Sequence, residues 1–308
     1  MTSVLFGLGY FLLFMAVLVL LFFLKKRSRQ DRAPFPENTR LLRGPGESLR
    51  RRVSELDEKI TSSLSTGLLV PIFPLGAGFY VASILTGWPQ LVAAVLSVGV
   101  FAALIVIMAK RMISFMEMWR NAALGLFGER IVAEHLDPLR ATGHRVFHDV
   151  PAGDPPAGST TPPFNLDHVV VGPAGVFAIE TKTRRKGRAR VGFMAHEIIY
   201  DGRALAYPWG EDQHGLELAR RQTAWLADFL ARQLGRPVPV HALLVFPGWM
   251  IIRKGRGAVN VLNPRELPAA IDRPAPGPHT GVPVPALDPA TIDLIARQLE
   301  ARCRDVEL

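Results

Sequence analysis

Three stretches near the N-terminus carry no Asp, Glu, Lys, Arg or His, and they restrict this chain more than anything else in its sequence. Val4 to Leu24 is the longest, 21 residues. At about 1.5 Å per helical residue it matches the roughly 30 Å of a hydrocarbon core. Lys25, Lys26, Arg27, Arg29 and Arg32 follow at once. A cleavable signal would put its charge first, keep its apolar run shorter and end in small residues, so the run reads as an anchor. Gly67–Leu85 and Leu91–Ala109 are separated only by Thr86, Gly87, Trp88, Pro89 and Gln90, which suggests a transmembrane hairpin. Arg50, Arg51 and Arg52 before it and Lys110 and Arg111 after it place basic flanks on one side. The expectation is a multi-pass protein of the cell (inner) membrane with three transmembrane helices and its soluble part in the cytoplasm. Pro71 and Pro74 would kink the second span or make it re-entrant. With no ionisable residue inside the spans, transport lacks the groups it would use.

The rest of the chain has ordinary globular composition. Overall 49% of residues are hydrophobic and the mean hydropathy is +0.20, which excludes a disordered or collagen-like chain. Residues 1–119 contain 13 Lys and Arg against 7 Asp and Glu, so most of the net charge of +9 lies beside the expected membrane. Cys303 is the single cysteine, which rules out an intrachain disulfide and leaves no thiol partner for a zinc site. The domain reading is an anchor with its basic flank (1–32), an amphipathic linker (33–65), a transmembrane hairpin (66–111), a soluble domain (112–272) and a Pro-rich linker with a last helix (273–308). In the linker, Leu49, Val53, Leu56, Ile60 and Leu64 recur at helical spacing and Glu55 and Lys59 form a supporting pair. Such a helix could lie on a lipid bilayer or pair with a second copy, giving a homo-oligomer through residues 49–64.

Within the soluble part, Leu126–Leu136 has helical spacing. His144–Val150, Leu166–Val171 and Val176–Lys182 read as strands, His214–Leu234 as a long amphipathic helix and Val238–Phe246 as a strand. The order is helix, three strands, helix, strand. Val150–Pro163 has the composition of a surface loop. A strand at Val259–Leu262, a helix at Pro264–Ile271 and a last helix opened by Asp288 and Pro289 complete the reading.

Chemistry concentrates in Asn165–Lys182, NLDHVVVGPAGVFAIETK. Gly172-Pro173-Ala174-Gly175 suits a hairpin loop. If Val171 pairs with Val176, Val169 faces Ala178 and Asp167 faces Glu180, and Lys182 shares the face of Glu180. Opposed carboxylates about 5 Å apart repel unless something between them offsets the cost. A divalent cation would do so, and hard oxygen donors suit Mg²⁺ or Mn²⁺ better than zinc. The lysine could then orient a water or hold a phosphate oxygen, as phosphodiester hydrolysis requires. The alternative is a strand-end ion pair of Lys182 with the two acids.

The segments GLFGERIVAEHL (125–136) and LDHVVVGPAGVFAIETK (166–182), with Gln222 on the following helix, resemble the nuclease-related domain NERD of the PD-(D/E)xK nuclease-like superfamily. The resemblance spans roughly residues 120–272 and implies an α/β restriction-endonuclease-like core, a mixed central sheet flanked by helices. The element order read above agrees with the α-β-β-β-α-β order of that core. The resemblance further implies Asp167 and Glu180 as metal ligands, Lys182 as the catalytic lysine, Glu129 as a helical acid near the metal and Gln222 as a supporting glutamine. The Asn-Pro usual before that glutamine is replaced here by Leu218 and Ala219.

Arg184, Arg185, Lys186, Arg188 and Arg190 follow the lysine strand, and Arg220 and Arg221 adjoin Gln222. Such a rim could hold the phosphates of DNA or RNA, or could be a solvated turn and helix face. His168 should point away from Asp167, into packing. Trp209 and Trp225 read as packing residues. No GxxxxGK[ST] loop and no G-x-S-x-G elbow occurs, so ATP hydrolysis and acyl transfer lose support. The nearest competing function is a nucleic-acid-binding or protein-docking module without turnover.

Overall fold

The computed structural model describes residues 40–152, 164–192, 194–272 and 286–306. Residues 42–305 form one compact unit; a second comprises 1–41 and 306–308, of which residues 40, 41 and 306 are described. The first apolar run, most of the 150–163 loop and most of the 273–289 linker lie outside the described residues.

The core is a five-stranded mixed sheet. Its strands are β1 (Arg145–Pro151), β2 (Asn165–Gly172), β3 (Gly175–Thr181), β7 (Val240–Val245) and β9 (Val259–Leu262), in the order β9-β7-β3-β2-β1. The first three are antiparallel in sequence, whereas β3 with β7 and β7 with β9 are parallel. The hairpin register is the expected one: Val171 opposes Val176 and Val169 opposes Ala178. The connection proper is Pro173-Ala174, because Gly172 and Gly175 already pair. Gly175 has φ +130°, which a side chain would strain, and a Cβ on Gly172 would overlap the His144 ring.

Both faces of the sheet are covered, which is why its central strands read as continuous apolar runs rather than alternating ones. Val169, Val171, Val176 and Ala178 face α4 (His214–Leu234) and α6 (Pro289–Cys303), meeting Leu226, Leu230, Ile295 and Leu299. Val170, Phe177 and Ile179 point the other way, towards Val132 and Leu136 of α3 (Trp88–Leu136) and Leu267 of α5 (Leu267–Asp272). Asp288 caps α6 by accepting from the Thr291 N–H, 2.9 Å, as its position before Pro289 foretells.

A second sheet was not foreseen. Strands β4 (Glu197–Tyr200), β5 (Leu205–Tyr207), β6 (Gly210–Asp212) and β8 (Met250–Arg253) run in the order β6-β5-β4-β8. Each has three or four residues, too few for an alternation to show. Their cohesion comes from a tertiary cluster of Ile198, Tyr200, Leu205, Tyr207, Phe246 and Trp249.

Before the sheet come α1 (Glu47–Leu69), α2 (Ile72–Ile84) and α3. Of the three expected transmembrane helices, the first lies outside the described residues, and the described residues carry one candidate span rather than two. The second run is broken at Val70-Pro71, and the 13 residues of α2 reach only about 20 Å. One described helix, beginning at Trp88, is long and apolar enough to cross a membrane. It does not stop at Ala109: the third run and the Leu126–Leu136 helix are one element of 49 residues, with no proline or helix-ending glycine between them. The helix passes without interruption through residues 111 and 112, where hairpin and domain were expected to divide. Part of the 49–64 stripe turns onto this same helix, while Leu64 stays exposed. Leu56 is 1% exposed, and Leu49 packs at Gly125.

Candidate active site

The site residues lie at the end of the β2–β3 hairpin, on the sheet face that α4 covers. Continuing the ladder from His168 opposite Ile179 brings Asp167 level with Glu180. Asp167 Oδ2 accepts from the Thr181 N–H at 2.6 Å, so its carboxylate leans across onto β3. Glu180 is 3% exposed. Its Oε1 pairs with Lys182 Nζ at 2.7 Å and its Oε2 accepts from Gln222 Nε2 at 2.5 Å. Gln222 also donates to the Asn165 carbonyl, 3.2 Å, tying α4 to the start of β2. Asp167, Glu180, Lys182 and Gln222 therefore converge although Leu218 and Ala219 replace the usual Asn-Pro. The ion pair of the structural alternative is present too, between Lys182 and Glu180.

Glu129 joins them from α3. It is 6% exposed and its Oε2 has no hydrogen-bond partner. The GxxGE spacing has a physical reason here. A Cβ on Gly128 would overlap the Thr183 methyl, so glycine lets the helix backbone settle on the strand end beside Lys182 and carries Glu129 inward. Gly215 of α4 also lies over this strand end, but an added Cβ there would make only ordinary contact with Leu244 and the Lys182 stem.

The charges are mutually unfavourable. Burial, then the nearby Asp149 and Glu180 carboxylates, push the Glu129 carboxyl up to about 8, against a backbone hydrogen bond from Gly46 and the Lys182 charge. Burial, Glu180 and Glu129 hold the Asp167 carboxyl well above the usual carboxylate range. Three acids thus share one lysine, in surroundings that favour protonation or a counter-cation.

Asp149 escaped the sequence reading. By the β1–β2 register it stands level with Asp167, yet the ladder skips this position and Asp149 has φ +48°. Its carboxylate, 2% exposed, accepts from Ser48 N (2.8 Å), Ser48 Oγ (2.7 Å), Asn165 Nδ2 (2.9 Å) and Arg43 Nη1 (2.9 Å). The chain entering α1 is thereby fastened to the sheet beside the acids, with Gly46 donating to Glu129. An Asp in a strand carries no local signal of such a role; only the left-handed backbone marks it.

His168 turns to the opposite face, as expected, and its Nδ1 lies 2.8 Å from His148 Nδ1. Burial keeps both imidazoles neutral, His148 down to about 4. The basic residues do not form one patch. Arg184, Arg185, Lys186, Arg188 and Arg190 are all exposed. Arg184 pairs with Asp212 at 2.9 Å and lies over Tyr207, Arg185 donates to the Arg120 carbonyl, and Lys186 lies over Trp249. Trp209 stacks on Tyr207 beneath this segment and Trp225 on Phe229, so both tryptophans pack, as expected. Arg221 lies over Phe164 near the start of β2. Arg220 lines a different groove, with His241 and Asn260, because consecutive helical residues point about 100° apart.

Whether a divalent cation fits can be judged from the donors. The acids supply hard oxygens, and the buried Glu129 Oε2, Thr181 Oγ1 and Gln222 Oε1 all lack a hydrogen-bond partner. Among the described residues, no three His, Cys, Asp or Glu side chains already form a cage for a metal. Glu180 is turned to Lys182 and Gln222 instead. The donor chemistry suits Mg²⁺ or Mn²⁺, provided that Glu180 exchanges one of these partners.

A mixed sheet between helices, with two acids and a lysine at the ends of its adjacent central strands, defines an α/β domain consistent with a nuclease-like core. Residues 124–247, from the end of α3 to just beyond β7, match the family model of the nuclease-related domain, NERD. Comparison with curated proteins and with solved structures returned no match.

Proposed function

We propose that this protein is a membrane-anchored, metal-dependent nuclease that hydrolyses phosphodiester bonds of DNA or RNA on the cytoplasmic side. The observation that carries the reading is the meeting of Asp167, Glu180 and Lys182 at one strand end, with Glu129 and Gln222 closing over them. Asp167 and Glu180 would hold Mg²⁺ or Mn²⁺, which when bound would polarise a phosphoryl oxygen and acidify a water. Lys182, held at Glu180, would orient that water or neutralise a phosphate oxygen. Gln222 fixes the Glu180 carboxylate, and Glu129 brings a further buried oxygen to the same place. The exposed Arg184–Arg190 segment and Arg221 would hold the flanking phosphates.

The membrane part of the reading rests on apolar side chains that point outward along the helical hairpin. Leu91, Val95 and Leu96 of α3 are each more than 60% exposed, and Trp88 is 76% exposed. Water would penalise such a surface, and a bilayer would not. Gly78 fits against Ser97, the close small-residue contact that helices use in lipid.

The test is the full chain, purified in detergent, with DNA and RNA and either Mg²⁺ or EDTA, beside Lys182→Ala and Asp167→Ala. Metal-dependent cleavage lost in both variants supports the proposal. Equal residual cleavage by all three proteins refutes it. The second reading, binding without turnover, is favoured by the intact Lys182–Glu180 ion pair. It predicts nucleic-acid binding that needs no divalent metal and survives Glu180→Gln.

A further inference from the structure

At the open edge of β1, around Arg145–His148, lies a cavity of about 490 Å³. Four arginines line it: Arg43, already held by Asp149 and Asp305, and three from separate elements, Arg140 from the turn after α3, Arg145 from β1 and Arg297 from α6. A solvated charged face would lie along one helix or strand. This grouping exists only because the fold folds these elements around one concavity.

The cations outnumber their local counter-charges. Asp293 is shared, pairing with Arg145 at 3.2 Å and offering Arg297 only its backbone carbonyl, 3.4 Å away. Glu300, the other acid in the lining, is taken by Arg304. Arg140 is oriented by the Val146 carbonyl at 2.8 Å and His148 Nε2 at 3.3 Å, and it pairs with the exposed Asp137 at 3.4 Å. The guanidinium groups therefore keep N–H donors with no protein acceptor among the described residues, in the planar arrangement that suits phosphate oxygens. Phe147, two residues from Arg145 on β1 and therefore on the same face, and Leu42 add apolar surface to the lining. The volume lies in the range of small-molecule sites. A ligand matching this lining has a phosphate and, beside it, a flat, weakly polar ring.

We propose that this cavity is a binding site for a nucleoside phosphate, separate from the acid-lined site, with Arg145 and Arg297 holding the phosphate, Arg140 supporting it and Phe147 against the base. The proposal does not depend on the chain being a nuclease, because it is read by binding alone.

The experiment is titration calorimetry on the full chain in detergent, in EDTA, with AMP, GMP, inorganic phosphate and adenosine as probes. Saturable binding of AMP or GMP, weaker binding of phosphate and none of adenosine is expected. Arg145→Ala and Arg297→Ala should each weaken nucleotide binding by about tenfold or more, the usual loss of one charge-assisted hydrogen bond. Both side chains are exposed, so these variants should keep the wild-type melting temperature; Arg297→Lys should recover part of the affinity. Lys182→Ala should bind nucleotide as the wild type does. No saturable binding at millimolar nucleotide, binding unaffected by either arginine change, or binding abolished by Lys182→Ala would each overturn the assignment. The last of these would place the nucleotide at the acids.

Discussion

Replacing Glu129 with Gln should stabilise the protein near neutral pH, and the size of the effect follows from the site. The Glu129 carboxyl has an ordinary value of 4.5 and is pushed up to about 8 by burial and by Asp149 and Glu180. Between those two pH values the folded protein keeps a proton that the unfolded chain has lost, so stability falls as pH rises through this window. At about 1.4 kcal/mol per pH unit, the loss at pH 7 is about 3 kcal/mol relative to pH 4.5. A glutamine carries no such cost. Urea unfolding of the full chain in detergent with EDTA, followed by the fluorescence of the buried Trp249, would measure it. The variant should be more stable than the wild type by about 3 kcal/mol near pH 7, with the difference closing towards pH 4.5. If wild type and variant lose stability at the same rate from about pH 5 to about pH 8, Glu129 is not held among unneutralised acids. The case for a counter-cation at this place then fails.

Three further outcomes are expected. Gly128→Val drives a side chain into Thr183, so it should cost about 1–3 kcal/mol in denaturant unfolding and remove any cleavage activity by displacing Glu129 from Lys182. His148, lowered to about 4 by burial and by Arg140, should make stability fall as pH drops from about 6.5 to about 4, by up to about 3 kcal/mol; His148→Leu should flatten that acid limb in a pH series of melting curves. Asp149→Ala leaves Arg43 paired with Asp305 but strips Ser48 and Asn165 of their buried acceptor, which should cost about 1–3 kcal/mol. It should also raise hydrogen exchange at the start of α1, and unchanged exchange there would show that the acid does not fasten the helix.

Much of the domain was legible because its signals are local. A loop of the right composition between two apolar runs sets the hairpin register, and the register together with the two-residue pleat puts Asp167, Glu180 and Lys182 side by side. The long helix at 214–234 and the strand at 259–262 were readable from their spacing. The small sheet of β4, β5, β6 and β8 was not, since its strands are too short to show a period and hold together through Tyr207, Phe246 and Trp249 from distant parts of the chain. The continuity of α3 was missed for the opposite reason. Its apolar first half and its charged second half look like two elements to a reading based on composition, although nothing between them ends a helix.

The sequence alone determined the chemistry of this protein: which strands carry the acids and the lysine, and which stretches are too apolar for water. Tertiary structure decided the company these groups keep. It brought Gln222 onto Glu180, lowered Glu129 onto the strand end through Gly128, and set Asp149 among Ser48, Arg43 and Asn165 in a backbone conformation that no sequence pattern announces. Periodicity and turn composition act over a few residues and can be read in order. Burial and charge proximity depend on partners tens to hundreds of residues away, and these become neighbours only when the core closes.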